Sequence, residues 1–428
     1  MKKKLALFGG KPILDRPLTE RHYIGREEIS AAMKVLKSGQ LSGFVARNNQ
    51  QFLGGPWVNK LEDRFCSYLK AKYAVSMNSA TSALYAAVYA LGMSPGDEVI
   101  LPPYTMSATA GAVLACSGVP VFVDVDINNF CLDADKIEPL ITRKTKAIIV
   151  VHLFGNPAEM NKIMRIAEKY KLRVLEDCAQ SPGAAYQGRP VGRFGDIGVF
   201  SLNRHKVIQC GEGGVAITND SKLVLKLRLI RNHAEAVIDE MDNPDKINLL
   251  GWNYKMTEVE AAISAAQINK LDGLNAIRIR NARYLTSRLK GFDWLIPYKP
   301  LKTIKTVYYR FPFRYKIENL GIKRSTVAKA MAAEGFLLNE GYVKPIYLQS
   351  IYRNTDLGKD PYLSVMHRSG YKYQEGLCPI SERLYNKELL LSGITHTARN
   401  RKDIDLFIKA LRKIKDNIKE LIAYEKKP

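Results

Sequence analysis

The chain of 428 residues is longer than one hydrophobic core usually supports, which predicts one large and one smaller domain. Hydrophobic residues make up 46% of the chain and charged residues 25%, which excludes a disordered or collagen-like protein. No apolar run approaches the roughly 18 residues of a membrane span, and the first residues lack a signal-peptide core. We therefore expect no membrane span and a cytoplasmic location.

The charge is strongly positive, with 65 basic against 42 acidic residues and a formal net charge of +23. The excess is spread along the chain, with a mild concentration near the C-terminus, and no nucleic-acid recognition motif accompanies it. We therefore expect a solvated basic surface and no nucleic-acid partner. The alternative is that the positive field attracts an anionic small substrate such as a nucleotide diphosphate.

The cysteines are far apart and form no C-x-x-C pair. This spacing argues against a disulfide framework and against a structural zinc site. We predict free thiols in a reducing compartment, and no metal. The residues are Cys66, Cys116, Cys131, Cys178, Cys210 and Cys378.

Apolar runs alternate with helical patterns between about residues 60 and 220, which predicts an α/β sheet. A helix is predicted from Ser79 to just before Gly92, because apolar residues there follow one helical face. A second helix is predicted over residues 161–170. Buried strands rich in Val and Ile are predicted over residues 99–102, 120–124, 147–152, 173–177, 197–200 and 214–217.

Beyond Gly251 the pattern changes to longer helices and few strands. The stretch 350–374, rich in Tyr, Gly and Asp, is predicted to be a loop or an insertion. We assign residues 1–272 to an N-terminal segment with a large domain, and residues 273–428 to a small C-terminal domain. The predicted elements are helices over 257–271, 275–289, 325–334 and 401–424 and a strand over 307–315.

A lysine in a loop after a predicted strand is the first candidate for catalysis. Lys206 follows the strand end at Ser201 and precedes G-E-G-G at residues 211–214, and a strand upstream ends in the acidic pair Glu176 and Asp177. Pyridoxal phosphate needs a lysine for its Schiff base and a carboxylate that keeps its ring nitrogen protonated. Ligands of open α/β sheets bind at the carboxyl ends of strands, where these residues lie. We predict a pyridoxal phosphate enzyme with Lys206 and Asp177 as catalytic residues.

Small and hydroxyl-bearing residues mark a candidate site for the cofactor's phosphate. Residues 78–82 provide them at a helix start, where backbone N–H groups attract an anion; an ordinary helix cap is the alternative. Ser201 could reach the same phosphate. The glycines at 211–214 would let the chain turn tightly behind Lys206, or simply form a hairpin. Gln180 could hydrogen-bond the oxygen of the cofactor ring, or lie exposed.

Together these motifs resemble the DegT/DnrJ/EryC1/StrS family of sugar aminotransferases over nearly the whole chain. The motifs occur in the family's order and at its spacing, which makes the resemblance specific. The matching segments are A-T at residues 80–81, E-D-C-A-Q at 176–180, F-S and the lysine at 200–206, G-E-G-G at 211–214 and G-W-N-Y-K-M at 251–256.

The resemblance implies the type I fold of aspartate aminotransferase-like transferases. This is an α/β fold with a mixed, mostly parallel sheet in the large domain and a small C-terminal α+β domain. It also implies a homodimer with active sites at the subunit interface, in which Asn253 reaches the phosphate of the neighbouring subunit. The implied cofactor contacts are Ala80, Thr81, Met106, Asp177, Gln180, Ser201, Lys206 and Asn253.

Two positions depart from the family's pattern. The aromatic residue that stacks on the cofactor ring is replaced by Met106, whose sulfur can lie over a ring in a contact worth about 0.3–1.5 kcal/mol. The segment P-L-H-L-Q near the substrate reads P-I-Y-L-Q at residues 345–349, with Tyr347 in place of histidine. The second change leaves the identity of the substrate open.

By resemblance, we expect a transaminase that moves an amino group from glutamate to a nucleotide-linked keto-sugar, for surface polysaccharide or amino-sugar biosynthesis. A keto-acid sugar or a cyclitol is an alternative acceptor. A pyridoxal-dependent sugar dehydratase of the same fold is a second alternative, although those relatives carry histidine in place of the lysine, and here His205 precedes Lys206 without replacing it. A non-catalytic binding protein is a third.

Overall fold

The computed structural model describes residues 3–15, 18, 23–241, 247–353 and 361–426. Within this part of the chain, no helix is both long enough and apolar enough to cross a membrane. The strands are β1 (Tyr73–Met77), β2 (Glu98–Leu101), β3 (Val119–Phe122), β4 (Thr145–Val151), β5 (Arg173–Asp177), β6 (Ala185–Tyr186), β7 (Arg189–Pro190), β8 (Ile197–Ser201), β9 (Gly214–Thr218), β10 (Leu295–Pro297), β11 (Ile304–Lys305), β12 (Phe311–Tyr315), β13 (Asn339–Glu340) and β14 (Leu389–Ser392).

Helices surround these strands and connect most of them. The helices are α1 (Arg26–Ser38), α2 (Pro56–Leu69), α3 (Ala80–Ala90), α4 (Ser107–Ala115), α5 (Met160–Tyr170), α6 (Ser221–Arg231), α7 (Ala234–Ile238), α8 (Glu258–Ile268), α9 (Leu271–Arg288), α10 (Ile317–Leu320), α11 (Arg324–Ala333), α12 (Ser350–Arg353), α13 (Pro361–Arg368), α14 (Pro379–Arg383), α15 (Arg401–Asp416) and α16 (Ile418–Glu425).

The central sheet is mixed and mostly parallel, as the resemblance to the family implied. Among the described residues its strand order is β1-β9-β8-β5-β4-β2-β3, and β9 is antiparallel to both of its neighbours. The six predicted strands are all present. β1 was missed, because its five residues include a polar serine and give a weak strand signal.

The central sheet is buried on both faces. Ile148 and Val150 of β4 pack on one side with α5, while Ile149 packs on the other side with α3 and α4. Side chains alternate between the faces of a strand, so a strand covered on both sides needs apolar residues at every position. This explains the continuous Val and Ile runs in the sequence.

The register of the parallel strands sets the position of the candidate site. Val151 of β4 pairs with Asp177 of β5, and Asp177 in turn pairs with Val199 of β8. The carboxyl ends of β4, β5 and β8 therefore lie at the same edge of the sheet, and β8 ends at Ser201. The loop that carries Lys206 begins at this edge.

The small domain is built on a four-stranded antiparallel sheet of order β10-β12-β14-β13, covered by α11 and α15. The N-terminal segment is attached to it. Glu334 accepts hydrogen bonds from the N–H groups of Ala6 at 2.8 Å and Ile13 at 3.1 Å, and it forms a buried ion pair with Lys413 at 2.8 Å.

Three predicted elements of the C-terminal half were wrong in extent. The strand predicted over 307–315 begins only at Phe311, because residues 307–309 hydrogen-bond to the loop at Phe154 and Gly155. The predicted loop at 350–374 contains α12 and α13; residues 354–360 lie outside the described residues. The last helix breaks at Asn417, whose side chain donates to the carbonyl of Lys413 at 2.8 Å.

Candidate active site

One cavity of about 340 Å³ opens at the carboxyl ends of β5 and β8. All but one of the predicted site residues line it, and Asn253 is the exception. They reach it from the start of α3, from the residue just before α4, from the end of β5 and the segment after it, and from the end of β8 and the loop after it. The predicted residues in its lining are Ala80, Thr81, Met106, Asp177, Gln180, Ser201 and Lys206.

Asp177 is the buried carboxylate of this cavity. Its Oδ2 accepts a hydrogen bond from the hydroxyl of Thr109 at 2.9 Å, and its Oδ1 accepts one from the N–H of Ala179 at 3.1 Å. Burial raises the pKa of Asp177, while these two donors and the charge of Lys206 oppose that rise. A cationic group beside Asp177 would therefore be strongly stabilised, because an opposite charge offsets the cost of burying the carboxylate.

Lys206 is half-buried in the same cavity. Burial lowers the pKa of its amine, Asp177 opposes this effect, and the nearby charge of Arg310 adds to it. Its Nζ lies 5.1 Å from the centre of the Tyr309 ring. A lysine in this setting loses its proton more easily than an exposed lysine, which favours nucleophilic and base chemistry.

Glu176, the other member of the acidic pair, points away from the cavity. Its side chain is fully buried and accepts hydrogen bonds from the N–H groups of Gly192, Phe194 and Gly195 at 2.6–2.7 Å. Its Oε2 also lies 3.0 Å from Nε2 of His152. Adjacent residues of a strand face opposite sides of the sheet, so only Asp177 reaches the site.

Three buried residues with potential metal-ligand atoms lie close together, namely His152, Glu176 and Cys178. The possible ligand atoms of His152 and Glu176 already take part in hydrogen bonds. Nδ1 of His152 accepts from the N–H of Ala158 at 3.1 Å, and its Nε2 faces Glu176. Burial raises the pKa of the Cys178 thiol well above its usual value, so this cysteine is a poor thiolate ligand.

Gln180 is buried and held from two sides. Its Oε1 accepts from the N–H of Phe154 at 2.9 Å, and its Nε2 donates to the hydroxyl of Tyr342 at 2.9 Å. The alternative that Gln180 is an exposed polar residue is therefore wrong. Tyr342 also lines the cavity, so Gln180 connects the large domain to the small one at the site.

The start of α3 fits a phosphate group. Ser79 caps the helix by accepting from the N–H of Ser82 at 3.0 Å, and Ala80 and Thr81 follow it into the cavity lining. A Cβ at Gly214 would lie 2.5 Å from the backbone nitrogen of Ala80, so only glycine lets β9 approach this turn. Helix N-terminal N–H groups lack partners within the helix and bind anions.

The cavity also fits the rest of pyridoxal phosphate. It brings together a lysine, a buried carboxylate on the neighbouring strand and an anion-binding turn, which are the groups that this cofactor requires. Ser201 is buried, and its hydroxyl accepts from the N–H of Asn203 at 3.3 Å, which leaves its own proton available to a phosphate.

Asn253 lies outside the cavity of its own chain. It is exposed, its carbonyl accepts from the side chain of Asn78 at 3.4 Å, and it forms an isolated bridge with Asn232. Asn253 is therefore close to the candidate phosphate-binding turn at residues 78–81, but it does not line the cavity.

Tyr104, close to Met106 in the sequence, and Tyr347, which stands in place of the family's histidine, lie in the core. Tyr104 is 1% exposed, and its hydroxyl accepts from the N–H of Tyr342 at 2.8 Å. Tyr347 is fully buried and hydrogen-bonded to Glu382 and to the N–H of Cys378. Within its own chain, neither side chain lines the cavity.

Met106 is 56% exposed at the mouth of the cavity, which excludes the alternative that it fills a gap in the core. If it covers the cofactor ring, Met106→Phe should keep or tighten cofactor binding, because an offset aromatic stack is worth about 0.5–1.5 kcal/mol. Met106→Ala should weaken it. Cofactor dissociation constants measure both, and unchanged affinity in Met106→Ala would contradict a stacking role.

The pKa of Lys206 leads to a pH prediction. Cofactor attachment to the apoprotein should speed up as Lys206 loses its proton and level off below pH 10.5, the usual value for lysine, because burial disfavours the charged amine. Asp177→Asn should move this plateau to still lower pH, because it removes the charge that opposes the shift. Stopped-flow absorbance measures the rate. A plateau at or above pH 10.5 in the wild type would contradict the prediction.

Three residues of the site were missed from the sequence: Tyr309 and Tyr342, which line the cavity, and Thr109, which donates to Asp177. Thr109 lies on α4, four residues after Thr105, and the two hydroxyls are 3.4 Å apart. Tyr309 and Tyr342 come from loops of the C-terminal half, and no local pattern marks them. Tertiary packing alone brings them to Lys206 and Gln180.

Comparison with known proteins shows which proteins this chain resembles. It is 30% identical to the L-glutamine:scyllo-inosose aminotransferase of Streptomyces griseus, over 98% of this chain and 100% of the relative. The structure of DesI in the presence of its TDP-sugar product matches with a TM-score of 0.81 at 26% identity, over 99% of both chains. The structure of NtdA from Bacillus subtilis with bound cofactor PMP matches with a TM-score of 0.75 at 27% identity, over 94% of this chain and 86% of that one.

The sequence model of the DegT/DnrJ/EryC1/StrS aminotransferases matches residues 44–400, most of the chain and all of the cavity. The match agrees with the α/β fold and its mixed, mostly parallel central sheet. The chain therefore belongs to the DegT/DnrJ/EryC1/StrS aminotransferase family, whose members are pyridoxal-phosphate-dependent sugar aminotransferases.

Proposed function

We propose that this sugar aminotransferase moves an amino group from glutamate to a nucleotide-linked keto-sugar, with Lys206 and Asp177 as its catalytic residues. The observation that carries the proposal is the cavity in which both side chains meet a phosphate-binding turn. The product, an amino sugar, would serve surface polysaccharides or glycosylated metabolites. The free thiols of the chain suit the reducing cytoplasm.

Each residue has a separate task in this proposal. Pyridoxal phosphate, when bound, supplies the electron sink that transamination requires. In the first half of the reaction Nζ of Lys206 would move the proton from the α-carbon of the donor to the cofactor, and in the second half it would move a proton from the cofactor to the carbon of the acceptor that gains the amino group. The lowered pKa of Lys206 favours its action as a base. Asp177 holds the proton on the ring nitrogen, and Gln180 binds the ring oxygen. Ala80, Thr81 and Ser201 bind the phosphate.

The positions of Lys206 and His205 favour an aminotransferase over a dehydratase. Both line the cavity, but Lys206 is half-buried and interacts electrostatically with Asp177, whereas His205 is exposed. A primary amine in this place could form the covalent link to the cofactor, be displaced from it by the amino donor and then move the proton, whereas an imidazole cannot form that link.

Two observations support a nucleotide-linked acceptor. DesI, which matches nearly the full chain, was solved with a TDP-sugar. The net charge of +23 would also attract a nucleotide diphosphate to the surface. A cyclitol is the second candidate, because the Streptomyces griseus relative of full coverage acts on scyllo-inosose with L-glutamine.

A substrate panel tests the proposal. Holoenzyme is incubated with L-glutamate or L-glutamine and with nucleotide diphosphate keto-sugars or scyllo-inosose, and aminated products are measured by mass spectrometry. We expect turnover with a nucleotide-linked keto-sugar and glutamate. If only scyllo-inosose is turned over, the acceptor is a cyclitol and not a nucleotide-linked keto-sugar. If donor-loaded enzyme forms no aminated product, the proposed aminotransferase function is wrong.

We further propose a homodimer in which Asn253 contacts the cofactor phosphate of the neighbouring subunit. In support, Asn253 is exposed beside the phosphate turn but outside its own cavity. Mixing Asn253→Ala with Lys206→Ala protein should then restore activity, because each heterodimer holds one site with both residues intact. Mass spectrometry checks subunit exchange. Subunit exchange without recovery of activity would contradict an active site shared between two subunits.

A further inference from the structure

Two buried charges hold the strand that leads into the phosphate turn. Glu62 of α2 and Arg231 at the end of α6 form an ion pair of 2.6 Å, with side chains 8% and 0% exposed. Oε1 of Glu62 also accepts from the N–H of Ser76 at 2.8 Å and from its hydroxyl at 3.0 Å. Nη1 of Arg231 donates to the carbonyl of Ser76 at 3.3 Å. Both charges therefore act on β1 two residues before the turn begins.

The backbone of Arg231 holds the same turn from its other side. Its carbonyl accepts from the N–H of Tyr254 at 3.0 Å, and the carbonyl of Tyr254 accepts from the N–H of Asn78 at 2.9 Å. The contacts thus close a ring from Arg231 through Ser76 to Asn78 and back through Tyr254. This ring spans the end of β1 and the segment 251–256, which carries Asn253.

The guanidinium of Arg231 is held in one place. Its Cζ lies 4.6 Å from the centre of the Phe44 ring, and its Nη2 donates to the carbonyl of Leu53 at 3.4 Å. Burial lowers its pKa, and the charge of Glu62 opposes that effect. A buried ion pair is often no more stable than a well-packed apolar pair, so stability alone does not explain these two charges.

We propose that Glu62 and Arg231 are positioning residues that set the phosphate turn, residues 78–81, in register with segment 251–256. The N–H groups of Ala80 and Thr81 must converge on one anion, and a small shift of β1 would spread them. The proposal rests on the proposed function only in assigning the cofactor's phosphate to this turn.

The test compares pyridoxal phosphate with pyridoxal, which lacks the phosphate. In the double variant Glu62→Gln/Arg231→Met, which leaves no unpaired buried charge, affinity for pyridoxal phosphate should fall about tenfold or more, while affinity for pyridoxal stays within about twofold. Arg231→Lys keeps the charge and should recover part of the loss. Dissociation constants by absorbance titration measure the ratio, and circular dichroism checks the fold.

The double variant Glu334→Gln/Lys413→Met is the matched control, because it removes both charges of another buried ion pair, in the small domain and away from the cavity. It should lower the melting temperature and leave the ratio of the two affinities unchanged. An equal loss of affinity for both ligands in Glu62→Gln/Arg231→Met, or the same change of ratio in Glu334→Gln/Lys413→Met, would mean that Glu62 and Arg231 have a structural role only. A wild type that binds both ligands equally would contradict the phosphate site itself.

Discussion

Lys206→Ala should lower kcat by at least about 10²–10⁴-fold, because proton transfer by a positioned base contributes that much and no other described lysine lines the cavity. The purified wild-type protein should be yellow, and borohydride should fix the cofactor covalently to Lys206. Single-turnover kinetics and peptide mapping measure the two effects.

Lys226→Ala is a suitable control for this experiment. Lys226 is also half-buried, but its Nζ contacts the carbonyl of Ala90 at 3.4 Å, outside the cavity. Activity and cofactor attachment should be retained in this variant. A borohydride label on any lysine other than Lys206 would overturn the catalytic assignment.

Asp177→Asn should reduce activity by about 10²-fold or more, because it removes the buried carboxylate that would hold the protonated ring nitrogen. Its melting temperature should be unchanged or higher, since burial already raises the pKa of this carboxyl group and its charge is costly in the empty cavity. Activity assays and calorimetry of the apoprotein separate the two effects.

The neighbouring carboxylate should behave in the opposite way. Glu176 accepts three backbone hydrogen bonds, so Glu176→Gln should destabilise the fold by about 1.5–3 kcal/mol for each charge-assisted bond lost. Cofactor affinity should change less than in Asp177→Asn. A Glu176→Gln protein that is stable but inactive would show that Glu176 serves the reaction and not the fold.

Much of the large domain follows from local sequence. Strands such as β4 are apolar over most of their length because both faces of the sheet are covered, and this signal does not depend on distant residues. The chemistry of pyridoxal phosphate likewise singles out Lys206 and Asp177 from the whole chain. The parallel register then brings them together, because the carboxyl ends of neighbouring strands share one edge.

Only the tertiary structure decided which polar residues serve the site and which serve the core. Asp177 and Glu176 are adjacent acidic residues, and strand geometry sends one into the cavity and the other into a cage of N–H groups. Tyr347 replaces a residue expected near substrate, yet packing buries it in its own chain. Tyr342 joins the site from the small domain. Such outcomes depend on contacts between distant segments, whereas local periodicity reports only which face of its own element a residue occupies.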